Sequence, residues 1–201
     1  DYMFFLVVHP SLPVRSVKAL LDLAKAKPDG VIFGSSGIGS VGHLALEQFR
    51  TLGGVRMLHV PYKGALPAEV DLLAGHIAVM ASGMVSVLPH VKSGRVRALA
   101  VTSAKRTPLL PELPAVSEVL PGFDAGAWFG VLAPAGTPAP ILERLHKAIA
   151  AALRTPELRT RLSGNGAEVI GSSPQEFQRY IGEESERYGR LLREAGIAQG
   201  K

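Results

Sequence analysis

The 201-residue sequence contains no cysteine, which excludes disulfides, thiol nucleophiles and metal sites built on thiolates. It has no uninterrupted apolar run of the roughly 18 residues that a membrane-spanning helix requires, so the chain is not expected to be embedded in a membrane. The apolar start, Asp1-Tyr2-Met3-Phe4-Phe5-Leu6-Val7-Val8, lacks the basic beginning and small-residue cleavage site of a secretory leader and reads as a strand. A chain that opens in mid-strand, without an initiating Met, is expected to be missing an upstream part. Aromatic residues make up only 6% of the chain, with a single Trp, and nowhere do they interleave with basic residues as on a nucleic-acid-binding surface. No His, Asp and Glu residues share metal-ligand spacing, and there is no internal repeat or low-complexity tract.

What remains is an ordinary globular composition, 47% hydrophobic and 19% charged, on a chain long enough to bury a sizeable core. The formal net charge of +5 is scattered, with Lys18, Lys25 and Lys27 far from Arg154, Arg159 and Arg161. It favours anionic ligands only by general steering.

The most informative stretch is Val31-Ile32-Phe33-Gly34-Ser35-Ser36-Gly37-Ile38-Gly39-Ser40-Val41-Gly42-His43. A short apolar run passes into small residues, and a helical pattern through Leu44, Ala45, Leu46, Gln48 and Phe49 follows. A strand, a Gly/Ser turn and a helix start aim several backbone N–H groups at one point in front of a helix N-terminus, which suits a carboxylate or phosphate.

Around it the chain alternates. Phe4–Val8 reads as a buried strand, and Ser16 caps a helix to about Lys27. Strands are expected near 56–60, 76–81 and 97–102, with helices over 65–74 and 85–92 between them and a small-residue turn at Ser82-Gly83. This order predicts a parallel sheet with right-handed crossovers. Beyond Ser103 the prolines 108, 111, 114 and 121 mark a long, rigid connection. Strands are expected at 127–133, with Trp128 a core residue, and at 167–170. Helices are expected at 139–153, 156–162 and, capped by Ser173 with Pro174 following, to about Ala195. This tail carries three helices but little sheet for them to cover, so either they pack behind the first sheet or their partner strands lie outside the chain.

Several chemistries compete for the Gly/Ser loop. Gly37, Gly39 and Gly42 match the dinucleotide fingerprint GxGxxG between a strand and a helix. That use requires an acid about 20 residues on to hold the ribose, where this chain has His59, Val60, Pro61, Tyr62 and Lys63. Lys63 keeps open a phosphorylated dinucleotide, and a Rossmann-like enzyme stays as the alternative. Ser36 is not in a nucleophile elbow, because position 38 is Ile, and nothing links His43, His59, His76 and Asp71 into a triad. His43, one turn into the helix, either supports the loop or faces its ligand. A purely structural role for the small residues, a tight turn and close helix packing, is the remaining reading.

His59-Val60-Pro61-Tyr62-Lys63-Gly64 followed by Asp71-Leu72-Leu73-Ala74-Gly75-His76-Ile77 resembles the substrate-binding proteins of tripartite tricarboxylate transporters, the TctC or Bug-type periplasmic receptors. The loop Gly34–Ser40 with His43-Leu44, the block Leu88–Thr102 and the segment Trp128–Pro138 are similar to further blocks of that family, in the same order. The resemblance covers essentially the whole chain. It implies an α/β, periplasmic-binding-protein-like fold: a parallel-rich sheet with flanking helices in one complete lobe, residues 10–125, plus the C-terminal part of a second lobe, residues 1–9 and 126–201. The upstream part of that second lobe, with its own ligand loop, is outside the chain.

The resemblance also implies a non-enzymatic periplasmic receptor without cofactor or metal, whose partners are a small organic acid and membrane transporter subunits rather than nucleic acid. Ser35, Ser36, Gly37, Ile38, Gly39, Ser40 and His43 would hold one carboxylate, with Tyr62, Lys63, Ser82 and Gly83 at neighbouring strand ends. Where the family often shows an Asp-Asn pair, this chain has Ser82-Gly83, which removes a side-chain contact to a ligand amine or distal group.

Overall fold

Phe4–Val8 (β1) is apolar at every position because both faces of the strand are buried. The computed structural model describes residues 1–108 and 110–197. In it β1 joins Ile32–Ser35 (β2), Leu58–Pro61 (β3), Val79–Gly83 (β4) and Arg97–Val101 (β5) in one sheet of order β3-β2-β4-β1-β5. Successive β1 side chains enter opposite layers, as the period of two requires. Leu6 and Val8 pack with Phe33, Val79 and Ala81 beneath Val17–Ala26 (α1) and Val41–Gly53 (α2). Phe5 and Val7 pack with Met80 and Val101 beneath Ala65–Ala74 (α3) and Met84–Lys92 (α4). Phe5, Phe33 and Phe49 are fully buried, each contributing about 1.5–3 kcal/mol of transfer free energy.

The sheet is mixed rather than wholly parallel. β2 pairs in parallel with β3 and β4, whereas β1 runs antiparallel to both β4 and β5, with Phe4 opposite Gly83 and Phe5 opposite Val101. The crossover through α4 leaves one strand's width between β4 and β5, and β1 fills it from the opposite direction. The periodicity of the sequence reports strands, not their direction. β1 is thus an inner strand of the sheet, between β4 and β5. Ser82 and Gly83, expected as a turn, are the last residues of β4, and α4 follows at once.

The Pro-punctuated stretch returns along β5. Val101 N–H donates to Pro114 O at 2.9 Å and Ala125 N–H to Thr102 O at 2.8 Å, while Arg106 holds Glu118 through two hydrogen bonds of 2.7 and 2.8 Å. The tail is built differently. Ala139–Leu153 (α5) and Pro156–Gly164 (α6) bury no residue, and Pro174–Glu194 (α7), capped by Ser173 and Glu176, buries Glu184 and Leu191 and packs on α2. The strands expected at 127–133 and 167–170 do not form. Ala127 and Ala167 each make one isolated bridge to Tyr2, since no described strand runs beside them to continue a ladder. Trp128 meets Phe177 and Tyr180 of α7 edge-on instead of entering the sheet core.

Candidate functional site

The β2–α2 loop stands where it was expected, at the C-terminal edge of β2, between β3 and β4. Gly37 and Gly39 have φ of +136° and +79°, conformations in which a Cβ is strained. Hydrogen bonds within the loop then decide which amides face outward. Gly37 N–H donates to Ser35 Oγ at 3.2 Å and Gly39 N–H to His43 Nδ1 at 3.0 Å. Ser40 N–H donates to Gly37 O at 3.2 Å. The N–H groups of Ser36, Ile38, Val41 and Gly42 have no partner among the described residues. They sit beside the positive end of the α2 dipole, whose first turn has no acidic residue. The site therefore offers four unpaired amides, two in the loop and two in the first turn of α2, rather than an unbroken run from Ser36 to Ser40.

The loop's hydroxyls are mostly committed inward. Ser35 is fully buried, its Oγ donating to Gly37 O at 3.1 Å and lying 2.7 Å from His59 Nε2. Ser40 Oγ donates to Gly37 O at 2.7 Å and, as the N-cap of α2, accepts from His43 N–H at 3.4 Å. Ser35 and Ser40 thus shape the cradle, and the side chain left to face a ligand is that of Ser36. Ile38, at the loop tip, is 69% exposed. Gly42 serves packing: a Cβ there would lie 2.5 Å from Ala81 O, so α2 approaches β4 backbone to backbone.

His43 supports the loop instead of facing a ligand. It is 3% exposed and stacks on His59 with ring centroids 4.0 Å apart, and His59 stacks on Phe33 at 4.7 Å. Because Nδ1 accepts from Gly39, the ring proton belongs on Nε2, which lies 3.6 Å from the Glu47 carboxylate; Arg50 completes the row at 2.5 Å from the same oxygen. Burial depresses both histidines below their usual range. His59 is pushed down to about 4, by desolvation first and then by His43 and Arg50. For His43 desolvation outweighs the opposing pull of Glu47. Both rings are neutral at neutral pH, as acceptance from Gly39 requires.

The neighbouring strand ends divide the remaining candidates. Tyr62 N–H and Gly64 N–H donate to Ser35 O and Ser36 O at 3.0 and 3.1 Å, sewing the loop to the extension of β3. The Tyr62 ring crosses over Gly34, where a Cβ would meet it at 3.2 Å, and its hydroxyl donates to Asp71 at 2.6 Å. Burial and Asp71 push that hydroxyl up to about 12, so Tyr62 is a brace. Lys63 is exposed, two residues beyond the end of β3. Gly83 lies under Tyr2, whose ring a Cβ would meet at 2.8 Å. Ser82 is buried and donates to Glu69 Oε1 at 2.7 Å.

Glu69, His59, Glu47 and Arg50 had no assigned role in the sequence reading. One signal was present for Glu69: it shares a helical face with Ala68 and Leu72, both of which are buried. A second cleft, of ≈260 Å³, opens between residues 1–4, 103–107 and α7. Of its cations, Arg187 is bound to Glu184 at 2.7 and 2.8 Å, donates to Asp124 O and lies over the Tyr188 ring, and Arg106 is held by Glu118. Lys105 lines the same cleft. Among the described residues there is no cluster suited to a metal, and no helix is long and apolar enough to cross a membrane.

The chain belongs to the tripartite tricarboxylate transporter family receptors, whose family model matches residues 1–197. It is 36% identical over 197 residues to Protein BugT of Bordetella pertussis, a match covering 98% of this chain and 60% of that protein. Among solved structures it is similar to R. palustris Rpa4515 with adipate, at 39% identity and a TM-score of 0.87, covering 98% of this chain and 66% of that one. It is also similar to the periplasmic binding protein BugD, at 32% identity and a TM-score of 0.82, covering 99% and 68%. The expected periplasmic-binding-protein architecture is thus met by the mixed sheet and its flanking helices. The chain spans about 60% of the length of the curated relative BugT.

Proposed function

We propose that the chain is part of a periplasmic solute receptor, not an enzyme, that captures a small organic carboxylate and hands it to a tripartite tricarboxylate-type membrane transporter. One observation carries the reading: the N–H groups of Ser36, Ile38, Val41 and Gly42 are unpaired at the positive end of α2, with no acidic residue in its first turn. Charge-assisted hydrogen bonds from such amides to a carboxylate are about twice as strong as neutral ones. Lys63 supplies the nearby cation. The adipate of the similar R. palustris protein supports the ligand class. Residues 126–201 are read as part of a second lobe, which closes over the loop as hinged binding proteins do.

The Rossmann-like enzyme is less well supported. Gly39 N–H is taken by His43, so the fingerprint's second glycine is not free for a pyrophosphate, and the stretch His59–Lys63 holds no acid for the ribose. Calorimetric titration with C4 to C6 dicarboxylates and with nicotinamide nucleotides separates the two. Heat from the acids alone, reduced by Lys63→Ala, is the expected result. Heat from the nucleotides alone sinks the receptor.

A further inference from the structure

The tip of the β2–α2 loop, Ile38 and Gly39, is pinned by one hydrogen bond. Gly39 N–H donates to His43 Nδ1 at 3.0 Å, and among the described residues no other hydrogen bond reaches Ile38 or Gly39. Gly37 and Ser40, on either side, are held by the Ser35 and Ser40 hydroxyls and by the bond between their own backbones. The freedom of the loop is therefore confined to its tip. The unpaired Ile38 amide stands next in the chain to the pinned peptide.

The pin holds only while Nδ1 is bare. A neutral imidazole keeps one accepting nitrogen, and an imidazolium has two donors and no acceptor. A proton on Nδ1 would set N–H against N–H at 3.0 Å, so the Ile38–Gly39 peptide has to turn away. Glu47, 3.6 Å from Nε2, favours that proton, and burial and Arg50 oppose it. His59, stacked at 4.0 Å, would add a second cation face to face with the first. Among the described residues no charged group of β2, β4 or α7, the other elements packed on α2, acts on the ring. Burial outweighs Glu47, so His43 takes its proton only in acid.

We propose that His43 is a positioning residue for the ligand loop whose hold is released by a single proton, so that protonation of His43 and capture of a carboxylate oppose one another. The proposal rests on the receptor reading above. The neutral ring fixes the tip from behind and keeps the unpaired amides in one direction; the charged ring lets the tip go. Linkage is reciprocal, so a bound carboxylate that fixes the tip from outside makes His43 harder to protonate. A bare electrostatic effect has the opposite sign, because an anion nearby favours the imidazolium.

The test titrates wild type and His43→Asn with succinate, malate and adipate by calorimetry, from about pH 8 down to about pH 5, across the ordinary histidine range. Asn places an acceptor for Gly39 near the position of Nδ1 and takes up no proton. The titration of the acids themselves is common to both proteins and cancels in the ratio of their Kd values. At about pH 8 the two proteins should bind within about threefold of one another, and wild type should then weaken relative to the variant, by up to about tenfold for each unit below the pKa of the ring. His43→Ala, which has no acceptor, should bind about three- to tenfold more weakly at every pH, the size of one neutral hydrogen bond. A purely structural His43 would lower the melting temperature in both variants and leave the ratio flat, which overturns the proposal. A ratio that favours wild type in acid overturns it as well. Should the variants not fold, wild type alone decides by NMR: saturating acid should move the midpoint of the His43 ring titration downward, and an upward move or none overturns the proposal. Absence of binding by all three acids at about pH 8 overturns the receptor reading, and the positioning role falls with it.

Discussion

Two amphipathic helices of this chain have similar sequences in outline and opposite fates. α1 buries Val17, Leu20, Leu21 and Ala24 against the sheet, whereas α5, with Ile141, Leu142, Leu145 and Ile149 in the same spacing, buries nothing. Around α5, Phe129 is 80% exposed, and Val131, Leu132 and Ile170 are exposed with it. An apolar stripe records that a helix is meant to be covered and says nothing of what covers it. For α1 the cover is β1, β2 and α2, all in the chain. For α5 the described residues supply none, consistent with the proposed second lobe.

The sharpest way to break this contrast is to truncate one large side chain in each region. Phe33→Ala, beneath the histidine stack, should cost about 3–5 kcal/mol in denaturant unfolding, while Phe129→Ala should stay within about 0.5 kcal/mol. A cost of several kcal/mol at Phe129 would mean that the tail is covered in solution. Gly42→Val comes next: its side chain would press on Ala81 O and lift α2 from β4, for about 1–3 kcal/mol and a loss of carboxylate binding read by calorimetry. Ser40→Ala removes the N-cap and the brace to Gly37 O, for about 1 kcal/mol, with weaker binding because the open amides lose their fixed direction.

The effect of pH should separate the two regions as well. His59 titrates near 4 when folded and near 6.5 when unfolded. Between those values the unfolded chain binds more protons, so stability falls as pH drops from about 6.5 towards 4 and is unaffected by this group above 6.5. His59→Gln should flatten that part of a melting-temperature profile, and an unchanged slope would remove the histidine stack as its source. The smallest effect belongs to α5, where Ile141→Ala should move the melting temperature little, since Ile141 is half exposed.

Much of this was legible beforehand because it is local. α3 and α5 begin and end where the sequence placed them, since Gly75, Pro140 and the apolar spacing act within a turn or two. The loop was found for the same reason. What escaped depends on contacts distant in sequence. Strand order and the antiparallel setting of β1 follow from pairing with residues near 80 and 100. The inward turn of Ser35 and His43 depends on His59 and Gly39. The unformed strands at 127–133 and 167–170 show the reverse case, in which local pattern is present and the neighbour is not.

The setting of β1 also dictates an order of assembly. β1 pairs only with β4 and β5, so Phe4–Val8 has no strand partner among the described residues until residues 79–83 and 97–101 have been made. Until then this unbroken apolar segment has no neighbouring strand to cover it. Closure of the lobe therefore depends on slow, non-local pairings of the kind that limit folding rate and invite aggregation.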